Sequence, residues 1–89
     1  MRAVITVIGK DTVGILSKVS ALCAKHNANI IDVTQTVMQD LFAMIMLADI
    51  GNITSEFTKI VDEMNVLGED CNLSIHVMHE DIFNCMHKI

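Results

Sequence analysis

The chain has no tryptophan or tyrosine, and its three phenylalanines, Phe42, Phe57 and Phe83, are scattered. Without clustered rings there is no platform on which successive bases could stack. Positive charge is equally scarce: one arginine and five lysines stand against 11 acidic residues, for a net charge of −5. Nucleic acids and anionic membranes both select clustered cations, so this balance argues against either partner. Long apolar runs are missing as well. The longest, Leu41 to Ala48, is far shorter than the roughly 20 residues that span a bilayer. The first, Ala3 to Ile8, stops at Gly9-Lys10-Asp11, too soon for a signal peptide. Three cysteines, Cys23, Cys71 and Cys85, are odd in number and lack C-x-x-C spacing, which suits a reducing compartment rather than a disulfide framework. Each falls on an apolar phase, so mostly buried and inert thiols are expected. The sequence reads as a soluble, cytoplasmic protein.

What is present is a single small domain, with 52% apolar residues in 89. A domain of this size buries a modest fraction of its surface, so a partner subunit would add needed burial. Its organising stretch is Val4 to Leu22: an apolar strand, a tight turn at Lys10-Asp11-Thr12-Val13-Gly14, and an amphipathic helix. Such a turn leaves helix N-terminal N–H groups without intrahelical partners, a ready place for an anion or carboxylate. Asp11 and Thr12 are suited to cap the helix, and Gly14 lets the chain bend. A cap with a turn glycine explains these residues as well as a ligand site does.

Arg2 to Ile8 predicts a strand buried on both faces. Ile15, Leu16, Val19, Leu22, Cys23 and His26 then form a helical stripe, which Asn27-Ala28-Asn29 ends. From Ile30 to Gln39 alternation takes over, with Ile31, Val33 and Val37 on one face and Asp32, Thr34 and Thr36 on the other, as in a half-exposed edge strand. A short turn near Gln39-Asp40 joins it to Leu41 to Ile50, an uninterrupted apolar run that reads as a central strand. Thr54 is placed to cap a second helix striped by Phe57, Ile60, Val61, Met64 and Leu67, with Gly68 at its end and Glu56, Asp62 and Glu63 on a solvated face. Cys71, Leu73, Ile75 and Val77 alternate with Asn72, Ser74 and His76 in a last strand. A short terminal helix over about 80–89 carries Ile82, Phe83, Met86 and Ile89 on one face.

The resulting βαββαβ order specifies a ferredoxin-like α+β sandwich, a four-stranded antiparallel sheet with the first and third strands central and two helices on one face. Those central strands are apolar on the other face too, which calls for a second subunit, the terminal helix, or both to cover it. This fold serves many functions, so the site must decide. A metal-carrying version would place paired cysteines in the first strand–helix turn, an acylphosphatase-like version an arginine there, and an RNA-recognition version aromatics on the central strands. None of the three patterns is present.

The turn Gly9-Lys10-Asp11-Thr12-Val13-Gly14-Ile15-Leu16, the helix after it, and Asn27-Ala28-Asn29-Ile30-Ile31 at the start of the second strand closely resemble the ACT domain, the small regulatory module of amino-acid metabolism. The resemblance runs to about His79 and makes the chain look like a free-standing member, similar to single-domain bacterial and archaeal ACT proteins and to the ACT modules of the glycine-cleavage regulator. It implies a module, residues 1–89, that pairs as a homodimer and binds an amino acid or similar small carboxylate between the first strand–helix turn of one subunit and the second strand of another. By position, the ligand-binding residues it implies are Asp11, Thr12, Val13, Gly14, Asn29 and Ile30. Helix N–H groups suit a carboxylate and Asp11 an ammonium, although Asp11 turned toward the carboxylate would repel it. Some ACT domains only associate, so the alternative is an interaction module that dimerises or docks on a protein partner without a metabolite.

His76-x-x-His79-Glu80-Asp81, with Cys85 and His87 nearby, has metal-ligand chemistry. On a strand, however, His76 and His79 face opposite sides unless the strand ends between them, which argues against a metal site. No nucleophile–base pair with a supporting third group can be argued, so the sequence predicts no enzyme, cofactor or metal.

Overall fold

Seven elements follow one another: β1 (Arg2–Gly9), α1 (Ile15–Lys25), β2 (Asn29–Met38), β3 (Leu41–Asp49), α2 (Phe57–Cys71), β4 (Ser74–His79) and α3 (Glu80–Met86). They are seen in a computed structural model that describes residues 1–10 and 14–86. The sheet runs β2-β3-β1-β4, and every neighbouring pair is antiparallel. The ferredoxin-like order expected from sequence is therefore the observed one, with the two apolar strands in the middle.

Side-chain alternation divides the sheet into two faces. Ala3, Ile5 and Val7 of β1 and Phe42, Met44, Met46 and Ala48 of β3 form the floor of the core. Ile15, Val19 and Cys23 of α1 and Ile60 and Met64 of α2 close it from above. Met44, Met46 and Met64 are fully buried, the unbranched thioethers filling irregular space between helix and sheet. Leu16, placed on the stripe of α1 by its spacing, lies at the rim and is exposed.

Strand β2 departs from the simple alternation. Ile30 pairs with Ala48 and Asp32 with Leu47, leaving Ile31 as the extra residue of a bulge. The inserted residue lets Ile30 and Val33 both pack on the core, while Ile31 turns outward and is 47% exposed.

The end of α2 also differs from the expected one. Neither Thr54 nor any other side chain caps its start; Glu56 occupies that position in extended conformation. Gly68 does not stop the helix. It is buried within it, where a Cβ would lie 2.8 Å from the Leu73 carbonyl oxygen. The left-handed residue is Asn72, at φ 58°, and Leu73 N–H returns to donate to the Gly68 carbonyl at 2.7 Å. Cys71 is thus the last residue of α2, and β4 begins only at Ser74. The expectation of mostly buried thiols is corrected too: Cys23 is buried, Cys71 partly so, and Cys85 on α3 is exposed.

A polar clasp joins the two helices where α1 ends. The His26 ring, 4% exposed, contacts Ser55 Oγ through Nδ1 at 2.5 Å and Glu63 Oε2 through Nε2. Lys25 Nζ donates to Glu63 Oε1 at 2.8 Å. Around it, Thr54 N–H donates to the His26 carbonyl at 3.1 Å, and the Asn27 side-chain amide donates to the Asn52 carbonyl at 2.8 Å. Glu63 is therefore not a bystander on a solvated face. The hydrogen bonds from Lys25 and His26 hold its carboxyl below the ordinary glutamate value. Because the Ser55 hydroxyl can either donate to Nδ1 or accept from it, the clasp keeps its hydrogen bonds in both charge states of the ring.

The last helix, α3, packs against β1 and β4, and the Arg2 guanidinium grips Glu80 at its start with contacts of 2.6 and 3.1 Å. Val4, on the sheet face away from α1 and α2, is 4% exposed.

Two outcomes test this packing. Gly68→Ala should lose about 1–3 kcal/mol in urea unfolding, because backbone crowding outweighs the better helix propensity of alanine. Glu63→Gln should be less stable than the parent at neutral pH. A depressed carboxyl pKa contributes stability that is complete above the unfolded value of about 4.3 and lost as pH falls through the folded value. The gap between parent and variant should therefore close in acid, as read from melting temperatures across pH 7 to 3.

Candidate functional site

The turn between β1 and α1 carries the first group of residues expected to meet a ligand. Gly14 occupies the N-cap position of α1 with φ 74° and ψ 5°, a left-handed conformation that glycine adopts without steric cost. It makes no side-chain cap, and its carbonyl accepts from Lys18 N–H at 3.0 Å as the first turn closes. Gly14 is exposed, so the adjoining helix terminus faces solvent. Asp11, Thr12 and Val13, expected to cap this helix and to meet a ligand, lie outside the described residues.

Asn29 and Ile30 stand elsewhere. Asn29 opens β2 opposite Asp49, which in turn pairs with Arg2; the turn instead follows Gly9, at the other end of β1. The seven steps from Arg2 to Gly9, at about 3.4 Å each, separate these two ends by roughly 24 Å. Asn29 is exposed, whereas Ile30 leans on the core and is half-buried. A single chain does not bring Gly14 together with Asn29 and Ile30. Of the Asn27-Ala28-Asn29 stretch expected to end α1, it is Asn27, at φ 59°, that takes the left-handed conformation.

The end of the sheet beside Asn29 carries a feature that the sequence singled out only in part, through His79, Glu80 and Asp81. A cleft of about 340 Å³ is lined by Met1, Arg2, His79, Glu80 and Asp81. Its guanidinium is already engaged by Glu80, and the His79 ring is stacked on Phe57 with centroids 4.3 Å apart. His79 pairs with Ala3 and His76 with Thr6, three residues apart along β4 and so on opposite faces, as the strand periodicity predicted. Among the described residues, no group of three or more histidine, cysteine or acidic side chains is gathered closely enough to hold a metal ion; His87 is outside them.

Ser55, His26 and Glu63 do form a serine–histidine–acid line that sequence spacing could not reveal, since the three residues come from different elements. With the imidazole buried and Glu63 further tied to Lys25, the line acts as a clasp between α1 and α2. Burial pushes the Cys23 thiol up in pKa, so it stays protonated and unreactive. Cys71 Sγ, at the end of α2, accepts from Lys18 Nζ at 3.5 Å and braces the first turn of α1 from below. No helix among the described residues is long and apolar enough to cross a membrane.

Comparison with known proteins bears on both fold and site. A family model described as "ACT domain" matches residues 2–78. A UPF0237 protein of Listeria monocytogenes is 52% identical over 89 residues, spanning 100% of both chains. Among solved structures, an ACT domain protein from Streptococcus pneumoniae superposes with a TM-score of 0.81 at 35% identity, covering 93% of each chain. A putative glycine cleavage system transcriptional repressor shares the fold at a TM-score of 0.72 and 15% identity, over 85% of this chain and 44% of that one. With the fold, the glycine turn and these likenesses in agreement, the chain belongs to the ACT domain family.

Proposed function

We propose that this protein is a regulatory ligand-binding domain that senses an amino acid or a similar small carboxylate at a homodimer interface. The observation that carries the reading is the separation of the candidate residues. The glycine turn with its exposed helix terminus and the Asn29–Ile30 pair lie at opposite ends of one sheet. A partner related by a two-fold axis that reverses strand direction brings its own Asn29 toward the turn of the first subunit. Strand β2 suits such a contact. It is a ten-residue edge strand with no lysine or proline, and the run from Val33 to Gln39 carries no charge. Natural edge strands left this bare invite another strand.

In this reading the backbone N–H groups of Thr12 to Gly14 hold the ligand carboxylate, Asp11 takes the ammonium, and the partner's β2 contributes Asn29 beside Ile30. No catalytic role is assigned, and the free thiols suit the cytoplasm. An interaction module without a metabolite is the second reading, favoured by the exposed apolar sheet face opposite the helices.

The test is a dye-based thermal-shift panel of the twenty amino acids. A ligand present at about a hundred times its dissociation constant stabilises the fold by about 2.7 kcal/mol, several degrees for a domain of this size. One or two amino acids should raise the melting temperature, and Asn29→Ala and Asp11→Ala should each abolish that rise. A panel with no shift supports the interaction module instead.

A further inference from the structure

Among the described residues, Arg2 meets Glu80, Lys10 meets Asp40 and Lys25 meets Glu63. Lys18 does not follow them. The chain carries 11 acidic residues, yet Lys18 forms no ion pair with a described carboxylate, and its Nζ stands 3.5 Å from Cys71 Sγ.

The fold places both members of this pair. Lys18 belongs to the first turn of α1, where its N–H donates to the Gly14 carbonyl at 3.0 Å. Its side chain lies back over that turn, with Cε 3.9 Å from the point where a Gly14 Cβ would stand. Cys71 is the last residue of α2, which ends there because Asn72 turns left-handed and returns its N–H to the Glu69 carbonyl at 3.4 Å. The two residues are 53 apart in sequence, so only the packing of α1 beside α2 brings amine and thiol together.

The three thiols differ in what surrounds them. Cys23 is 1% exposed, and burial raises its pKa. Cys85 is exposed. Among the described residues, Cys71 is the one thiol that is partly exposed and also hydrogen-bonded to an ammonium. Reactive cysteines are the accessible ones beside a cation, whereas buried ones are inert. Cys71 further has a primary amine within reach to capture the sulfur once it is oxidised.

We infer that Lys18 and Cys71 form a reversible redox latch, in which a peroxide oxidises the Cys71 thiol and the Lys18 amine closes on the sulfur as a sulfenamide. In the first step sulfur attacks one peroxide oxygen and the O–O bond breaks. Sulfur gives up two electrons and is left as a sulfenic acid, while the other oxygen departs as water. Lys18 Nζ, having lost a proton to solvent, then donates its lone pair to sulfur. The S–O bond breaks, and the leaving hydroxide takes a proton from the nitrogen to form a second water. Sulfenic acids condense with nitrogen in this way. One thiol, one amine and one peroxide thus give one S–N bond and two waters. Two external thiols reverse it, the first displacing the amine as a mixed disulfide and the second freeing Cys71.

The link ties the start of α1 to the end of α2 and closes the long segment between them, which restricts the unfolded chain. It also clamps the turn at Gly14; an effect on ligand binding there rests on the regulatory reading above, whereas the link itself does not.

The test uses the full chain carrying Cys85→Ser, so that the exposed thiol does not compete, with hydrogen peroxide in small excess in mildly alkaline buffer. Intact-mass spectrometry should find a product lighter than the reduced chain by two hydrogens and returned to the starting mass by dithiothreitol. Peptide mapping should join Lys18 to Cys71, and the melting temperature should rise by several degrees. Lys18→Arg, which keeps the charge and replaces the amine, should instead gain one oxygen at Cys71 that dimedone traps. Circular dichroism checks that this surface variant is folded. The latch is overturned if Cys71 gains oxygen without a link while Lys18 is present, if it does not react, if the link maps to Cys23, or if Lys18→Arg loses the two hydrogens as readily.

Discussion

The eight-pair antiparallel register between β1 and β3 is the constraint on which the rest depends. Both strands are apolar on both faces, so pairing them creates two hydrophobic surfaces at once. Fifteen buried residues gather on the helix side of the sheet, where α1 and α2 cover them. The same register leaves Thr6, Ile8, Ala43, Ile45 and Leu47 on the reverse side, which two layers alone do not cover. A one-residue slip would exchange the two sets and bring the exposed isoleucines into the core, so the packing of Met44 and Met46 against the helices also fixes what the protein shows to its surroundings.

Around that pair, small polar devices set the positions of the helices. The core alone would let α1 and α2 slide along their shared apolar seam, since hydrophobic contact is non-directional. The buried His26, held between Ser55 and Glu63, has direction and removes that freedom at one end. At the other end Lys18 reaches Cys71, and the close approach at Gly68 lets the chain leave α2 and drop straight into β4. Together they fix where α1 begins, and therefore where Gly14 presents the helix terminus on which the ligand reading rests.

Much of this fold was legible because hydrophobic periodicity changes sharply from one element to the next. The uninterrupted run Leu41 to Ala48 announced a central strand, and Phe57, Ile60, Val61, Met64 and Leu67 announced one face of a helix. The misreadings have local causes. Gly68 has the composition of a helix stop, yet Asn72 carries the left-handed conformation, because what demanded a glycine was the nearby Leu73 carbonyl, a tertiary neighbour. Ile31 was assigned inward by strict alternation, and a bulge, which adds one residue without any marker in the local pattern, turned it out. Glu63 looked like one more acid on a polar face. Its partner His26 lies 37 residues away, and no pattern within either helix links the two.

By itself, the sequence determined the number and order of elements, the central place of the first and third strands, and a resemblance resting on one turn and one strand start. Those are properties of composition and of periods of two and 3.6 residues, which act over short stretches of chain. The tertiary structure alone decided that the turn and Asn29 stand at opposite ends of the sheet, that His26, Ser55 and Glu63 converge, and that one half of the reverse face is open while Val4 is buried. Each of these depends on strand register and helix placement, which are set when distant parts of the chain pack together.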